Sequence, residues 1–231
     1  MSITSLSFLL FLAVVYIIYY VVPKNYQWIV LLGASYGFYL FAGVIPLIFV
    51  LCTTAVTFAS GLKMEKNKET AANKKEAKRI NKPLLVWTII LIFGVLFIFK
   101  YYNSVGESII DIFAMFKYDI AMPYVNLLLP MGISFYMFMS VGYLVDIYRG
   151  TIKAEKDLAH FALFISFFPQ AVQGPIGRYN RLEPQFFAEH TFDYDKFCRG
   201  LQLMIWGYFK KLVIADRLAV AVTTVFDGYT S

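Results

Sequence analysis

Between Tyr26 and Leu62 the chain runs for 37 residues without one charged side chain. A membrane-spanning helix needs about 20 apolar residues, so a stretch of this length predicts two short spans, broken near Gly43 to Pro46 where a glycine and a proline interrupt the helical pattern. No water-soluble fold hides such a run easily. The composition agrees: 59% of residues are hydrophobic, 19% aromatic and only 16% charged, well above the apolar content of an ordinary soluble domain.

Further runs extend the pattern. Ile3 to Val22 is uncharged, with no basic leader and no small-residue exit, and reads as a retained first span rather than a cleaved signal. Leu84 to Phe99 is a fourth span. Ile120 to Val145, uncharged but broken at Pro123, Pro130 and Gly132, holds a fifth in its second half. Leu201 to Phe226 is a poorer sixth, because Lys210, Lys211, Asp216 and Arg217 lie inside it. The predicted fold is all-α, a polytopic transmembrane helix bundle forming a single membrane domain over residues 1 to 231, with re-entrant or amphipathic segments.

Charge orients the bundle. From Lys63 to Lys82 there are eight Lys and Arg against three Glu, whereas Lys100 to Asp119 holds two Lys and three acids. Basic loops stay on the cytoplasmic side, so residues 63 to 83 are expected there as a loop, with Lys24 and Arg149 to Lys156 on the same side and the N-terminus outside. The net charge of +6 is then explained by a solvated loop beside an anionic leaflet, without nucleic acid. The two cysteines, Cys52 and Cys198, form neither a metal-binding spacing nor a disulfide framework and read as packing residues.

Two stretches carry polar groups into apolar surroundings. The uncharged run Leu158 to Gly177 contains Gln170, Gln173 and the pair Gly174-Pro175, and leads directly into Arg178. Backbone that leaves helical geometry at membrane depth must be covered by protein or line a water-filled cavity. The run is therefore expected to be re-entrant or amphipathic, with Gln170, Gln173 and Arg178 facing an aqueous funnel; a span with a proline kink is the alternative. The second stretch, Trp206 to Ala219, places four ionisable groups where each would cost about 2.5–3.5 kcal/mol at the bilayer centre. In a straight helix Asp216 lies about 120° from Lys210 and cannot reach it. These groups line a cavity, snorkel to the interface or pair with other helices. Asp146 and Arg149, three apart, are expected to form an ion pair at the end of the fifth span.

Three blocks, LLLPMGISFYMFMSVGYLVDIYRG (127–150), FALFISFFPQAVQGPIGRYNRLEPQF (161–186) and GLQLMIWGYFKKLVIADRLA (200–219), resemble the membrane-bound O-acyltransferase family. The likeness is closest to its bacterial branch that O-acetylates alginate and other cell-surface polysaccharides, with the D-alanine exporter of teichoic acid synthesis more distant. Residues 1 to 126 match in hydropathy only. The resemblance implies a cell-membrane transferase that moves an acyl group, acetyl in this branch, from a cytosolic thioester such as acetyl-CoA to hydroxyls of an extracytoplasmic polysaccharide presented through a partner protein. It implies no bound cofactor. It also implies a catalytic histidine deep in the membrane, well downstream of the KKLVIAD block, so that this chain corresponds to the N-terminal half of a longer domain and the histidine is expected beyond Ser231.

Neither histidine present matches that position. His160 reads as a packing residue, and His190 begins H-x-x-x-x-D with Asp195, a pattern in which a carboxylate orients a general base; Asp193 or Asp195 more simply caps the following helix. No residue is assigned the catalytic role. Gln170, Gln173, Arg178, Lys210, Lys211 and Asp216 are the candidates for lining the donor cavity. A transporter or polysaccharide-export subunit would share broken helices and intramembrane charge, though no internal repeat accompanies them, and a non-catalytic remnant of the family is the third reading.

Overall fold

A computed structural model describes residues 4–115 and 132–229 of the chain. The described residues are helices joined by short turns, and they group into two compact units: Asn25–Ala188, and Met1–Lys24 together with Glu189–Ser231.

In the larger unit the long uncharged run is two helices, α2 (Gln27–Ala42) and α3 (Val44–Thr70), as the sequence predicts. Gly43 separates them at φ 126°, a conformation open to glycine and costly for a side chain. The predicted basic loop takes a different form. Its cations ride on the last turns of α3 and the first turns of α4 (Lys74–Met115), with only residues 71–73 between the two helices. Asn73 caps α4 by accepting a hydrogen bond from the Glu76 N–H (2.9 Å), and the Glu76 carboxylate accepts one from the Ala72 N–H (3.0 Å), a reciprocal arrangement that satisfies donors otherwise left orphaned. Among the described helices, α3 and the first part of α4, Lys74–Tyr102, are long and apolar enough to cross a membrane.

The fifth predicted span appears as α5 (Ile133–Arg149), while the earlier half of that run lies outside the described residues. Gly150, at φ 80°, ends α5 by donating its N–H to the carbonyls of Asp146 (3.1 Å) and Ile147 (2.8 Å), the left-handed C-terminal cap that glycine forms without strain. Helices α3, α4 and α5 pack on one another, and the core between elements of this unit is aromatic: Tyr39, Tyr136, Tyr143, Phe161, Phe164 and Phe168 are all fully or almost fully buried.

The run from Leu158 breaks twice, at Phe167 as well as at Gly174. It forms α6 (Leu158–Ser166) and α7 (Phe168–Gln173), followed by α8 (Tyr179–Phe187). Asp157 caps α6 by accepting from the N–H groups of Ala159 (2.7 Å) and His160 (3.2 Å). Within the segment expected to be re-entrant or amphipathic, every residue from Phe161 to Ser166 is buried, so this part of α6 has no solvent-facing side and packs among α2, α3, α5 and α8. Enclosure is what makes the break at Phe167 tolerable, since the freed N–H of Phe168 finds Ser35 Oγ of α2 at 3.3 Å.

The smaller unit consists of α1 (Leu6–Val21) and the pair α9 (Tyr194–Phe209) and α10 (Asp216–Tyr229), joined by a π-helical turn, Lys210–Ala215. Ser5 caps α1, accepting from the Phe8 N–H at 3.2 Å. Asp193 caps α9, accepting from the Lys196 N–H at 3.1 Å, and that bond first of all holds its carboxyl below the usual aspartate range.

Candidate functional site

The double break places the polar candidates of the larger unit. Gln170 sits in the middle of α7, and its side-chain oxygen is buried without a hydrogen-bond partner among the described residues. An amide oxygen in that state is costly, and three more buried oxygens share it: the hydroxyls of Tyr39 on α2, Thr57 on α3 and Tyr136 on α5. Helix α7 packs against both α2 and α5, and the Tyr39 and Tyr136 rings lie 6.4 Å apart, edge to face. Acceptors and donors thus wait unpaired inside an apolar shell. Nothing in a single sequence marks Tyr39 or Tyr136, because a tyrosine in an apolar helix reads as bulk.

Gly174 follows α7 with ordinary dihedrals and is held as glycine by proximity. A Cβ there would lie 2.6 Å from the Cα of Gln170, against backbone that cannot rotate away. At Gly177 a Cβ would meet the ends of the Gln170 and Leu182 side chains.

Arg178, exposed at the start of α8, reaches back to α5: its Nη1 lies 3.6 Å from Oδ1 of Asp146, whose side chain is only 10% accessible. This corrects the expected Asp146–Arg149 pair. Spacing of three along a helix brings two side chains near, but Asp146 faces inward while Arg149 is exposed at the helix end. The side chain of Gln173 lies outside the described residues.

Beside this pair Glu155 gathers a second polar cluster that the sequence reading passed over. Its carboxylate accepts from the N–H groups of Lys156 (2.7 Å) and Asp157 (2.8 Å) and from the Tyr179 hydroxyl, and its own N–H donates to the Tyr143 hydroxyl at 2.9 Å. The Tyr143 ring in turn packs on Phe161 (4.6 Å) and Tyr179 (5.3 Å). Through its carboxylate and its backbone N–H, Glu155 ties α5, α8 and the turn before α6 together. Burial pushes the Glu155 carboxyl up, but the bonds from Asp157, Tyr179 and Lys156 and the charge of His160 together outweigh it and leave its pKa lowered; burial first, then the Glu155 bond, raises the Tyr179 hydroxyl. A carboxylate with a lowered folded-state pKa stabilises the fold above its ordinary value near 4.5 and loses that contribution as pH falls through the lowered value. Thermal unfolding in detergent should therefore show the midpoint dropping on acidification below about pH 4.5, and Glu155→Gln should flatten that part of the profile; an unchanged profile would show that the cluster does not couple to folding.

His160 is a packing residue. Its ring lies 3.9 Å from that of Phe187 and 4.8 Å, edge on, from that of Trp28.

In the smaller unit Asp216 pairs with Lys211 and not with Lys210. Asp216 would stand about 140° from Lys211 on an ideal α-helix, yet their side chains meet at 2.5 Å. The π-helical turn Lys210–Ala215 inserts the extra residue that brings positions five apart onto one face. Lys210, which makes no ion pair among the described residues, lies over the Trp206 ring with its Nζ 5.7 Å from the centroid. His190 lines a separate groove of about 780 Å³ with Tyr16, Tyr20, Phe192 and Phe197. The polar candidates therefore fall into two sets, Gln170 and Arg178 in the larger unit and Lys210, Lys211 and Asp216 in the smaller.

Comparison with known proteins gives these features relatives. The chain is 35% identical over 212 residues, 91% of its length, to the "Probable alginate O-acetylase AlgI" of Azotobacter vinelandii, and 34% identical over 222 residues to the protein of the same name from Pseudomonas putida. A peptidoglycan O-acetyltransferase of Helicobacter pylori is 34% identical over 132 residues, 46% of the chain. No family model and no solved structure matches. The chain is similar over most of its length to proteins that carry the name alginate O-acetylase, which is in keeping with its resemblance to the membrane-bound O-acyltransferases. More particularly, its relatives are bacterial O-acetyltransferases of alginate and peptidoglycan, as the three sequence blocks indicate. The chain spans about two fifths of the length of the alginate O-acetylases it matches: 40% of the Azotobacter protein and 43% of the Pseudomonas putida one.

Proposed function

We propose that the protein acts as a multi-pass cytoplasmic-membrane O-acetyltransferase that moves an acetyl group from a cytosolic thioester, such as acetyl-CoA, to hydroxyls of an extracytoplasmic polysaccharide delivered with a partner protein. The observation that carries this reading is the 34–35% identity to alginate O-acetylases across more than nine tenths of the chain. In this reading residues 1 to 231 are the N-terminal half of one membrane domain, with the basic segment 63 to 83 on the cytoplasmic side. The enclosed break between α6 and α8 supplies cavity wall, and Gln170, Gln173 and Arg178 are the residues assigned to the substrate path.

The chain's own contribution is orientation and charge. Acyl transfer to a hydroxyl needs a general base with a pKa near the operating pH, and His160, wedged between Trp28 and Phe187, is not assigned that task; nor is His190. Lys210 and Lys211, with Asp216 fixing Lys211 in place, attract the phosphates of the donor, because a cation cluster against low-dielectric walls raises local anion concentration.

Deleting the gene should remove O-ester signals from the cell-surface polysaccharide in proton NMR, and restoring the complete gene should return them; esters that persist after deletion would overturn the assignment. In membranes containing the complete enzyme, Lys210→Gln should raise the donor KM several-fold with less effect on kcat, as loss of uniform binding does. An unchanged donor KM would remove Lys210 from the site.

A further inference from the structure

A polar cavity in the larger unit is lined by none of the candidate residues above. It encloses about 870 Å³ where the end of α3, the start of α4 and the end of α5 converge, and it is lined by Lys68, Lys74, Lys75, Lys78 and Arg149 with no carboxylate among its walls. That volume falls within the range of ligand pockets. Tyr148, Asn73 and Asn81 complete the polar lining.

The cavity is held in shape. Asn81, 1% exposed on α4, donates to the Met64 carbonyl and accepts from the Asn67 side chain, both at 2.8 Å, and so fastens α4 to α3 beneath the cations. Of the neighbouring acids, Glu76 closes the cap of α4 and Glu65 pairs with one of the five cations, Lys68, at 3.0 Å, which leaves four. Arg149 is left without Asp146, which takes Arg178 instead. Among the described residues Lys74, Lys75, Lys78 and Arg149 make no ion pair. A solvated basic segment would spread its cations around two helices to lower their repulsion; here three helices aim five of them at one space.

We propose that this cavity is a binding site for a phosphate group. Lys74, Lys75, Lys78 and Arg149 repel one another with no counter-charge among the described residues, and a ligand carrying one or two phosphate charges relieves the repulsion while gaining charge-assisted hydrogen bonds from Arg149 and the lysines. Its position suits such a ligand, because the cavity opens at the shared end of the two helices long enough to cross a membrane, the level at which phospholipid headgroups lie. Basic pockets between membrane helices bind anionic headgroups by this chemistry. A soluble phosphate compound reaching the same face would meet the same side chains. The site does not depend on acetyl transfer.

The test uses the complete protein in neutral detergent and two calorimetric titrations, one with dioctanoyl phosphatidylglycerol and one with inorganic pyrophosphate. Saturable binding of the lipid alone identifies a headgroup site, and saturable binding of pyrophosphate identifies a site for soluble phosphates. In either arm Lys78→Gln/Arg149→Gln should weaken binding on the order of tenfold or more, since each cation near an anionic headgroup contributes a factor of about five. Arg79→Gln/Lys82→Gln, which removes the same charge from the same basic segment outside the cavity, should change it little. If the pocket pair does not fold, Lys74→Gln alone should weaken binding about fivefold. Failure of both probes to saturate, or equal weakening by the control pair, overturns the proposal.

Discussion

Gly174→Ala is expected to sharply reduce the folded fraction of the protein, by about 1–3 kcal/mol, the ordinary cost of overpacking a close-packed site. The reason is specific to the backbone. The new methyl would stand 2.6 Å from the Cα of Gln170, so relief requires moving the end of α7 itself, and α7 is held between α2 and α5. Gly177→Ala should be much milder, because the atoms its methyl meets are the ends of the Gln170 and Leu182 side chains, which can turn aside. Fluorescence-detected size-exclusion of detergent extracts, with thermal challenge, measures both. Equal behaviour of the two variants would show that the turn after α7 is looser than its geometry requires.

Arg178→Gln is expected to be destabilising by roughly 1–2 kcal/mol, less than the 3–5 of a fully buried pair because the guanidinium is mostly exposed. What is lost is compensation for the Asp146 carboxylate, only 10% accessible on α5. The double variant Asp146→Asn/Arg178→Gln should recover much of the loss, since no uncompensated charge then remains, and the deficit of the double cycle isolates the pair. Arg178→Lys should be intermediate, because a point charge replaces a planar fork. If Arg178→Gln leaves stability unchanged yet raises the donor KM, the residue serves the donor and Asp146 is solvated in operation. If stability falls while the kinetics of the folded fraction stay constant, Arg178 is a positioning residue for α5 and α8.

Both experiments concern tertiary contacts, and they mark where sequence reading stopped. Two helices meeting near Gly43 follow from a 37-residue run without charge, because helix length and glycine geometry are local properties. The cap at Asp193 is legible for the same reason: the accepting side chain and the donating N–H are three residues apart. The kinship with polysaccharide O-acetylases was legible from three blocks of residues, but the similarity over 212 residues reaches into residues 1–126, where only hydropathy was expected to match.

The partner of Asp146 was not legible. Spacing offers Arg149, and only the folding of α8 back onto α5 decides for Arg178. Nor was the Lys211–Asp216 contact, since a 3.6-residue period places those side chains on different faces until a π-helical turn shifts the register. The enclosure of α6 belongs with these, because an apolar run looks alike whether it faces lipid, an interface or the protein interior. The sequence alone determined that this chain is helical and apolar, with a cluster of cations between Lys63 and Lys82, because periodicity, charge and glycine act over a few residues. Which polar groups meet, which stay unpaired inside the core, and that five cations share one cavity were decided by the tertiary structure, because those distances are set by how whole helices pack.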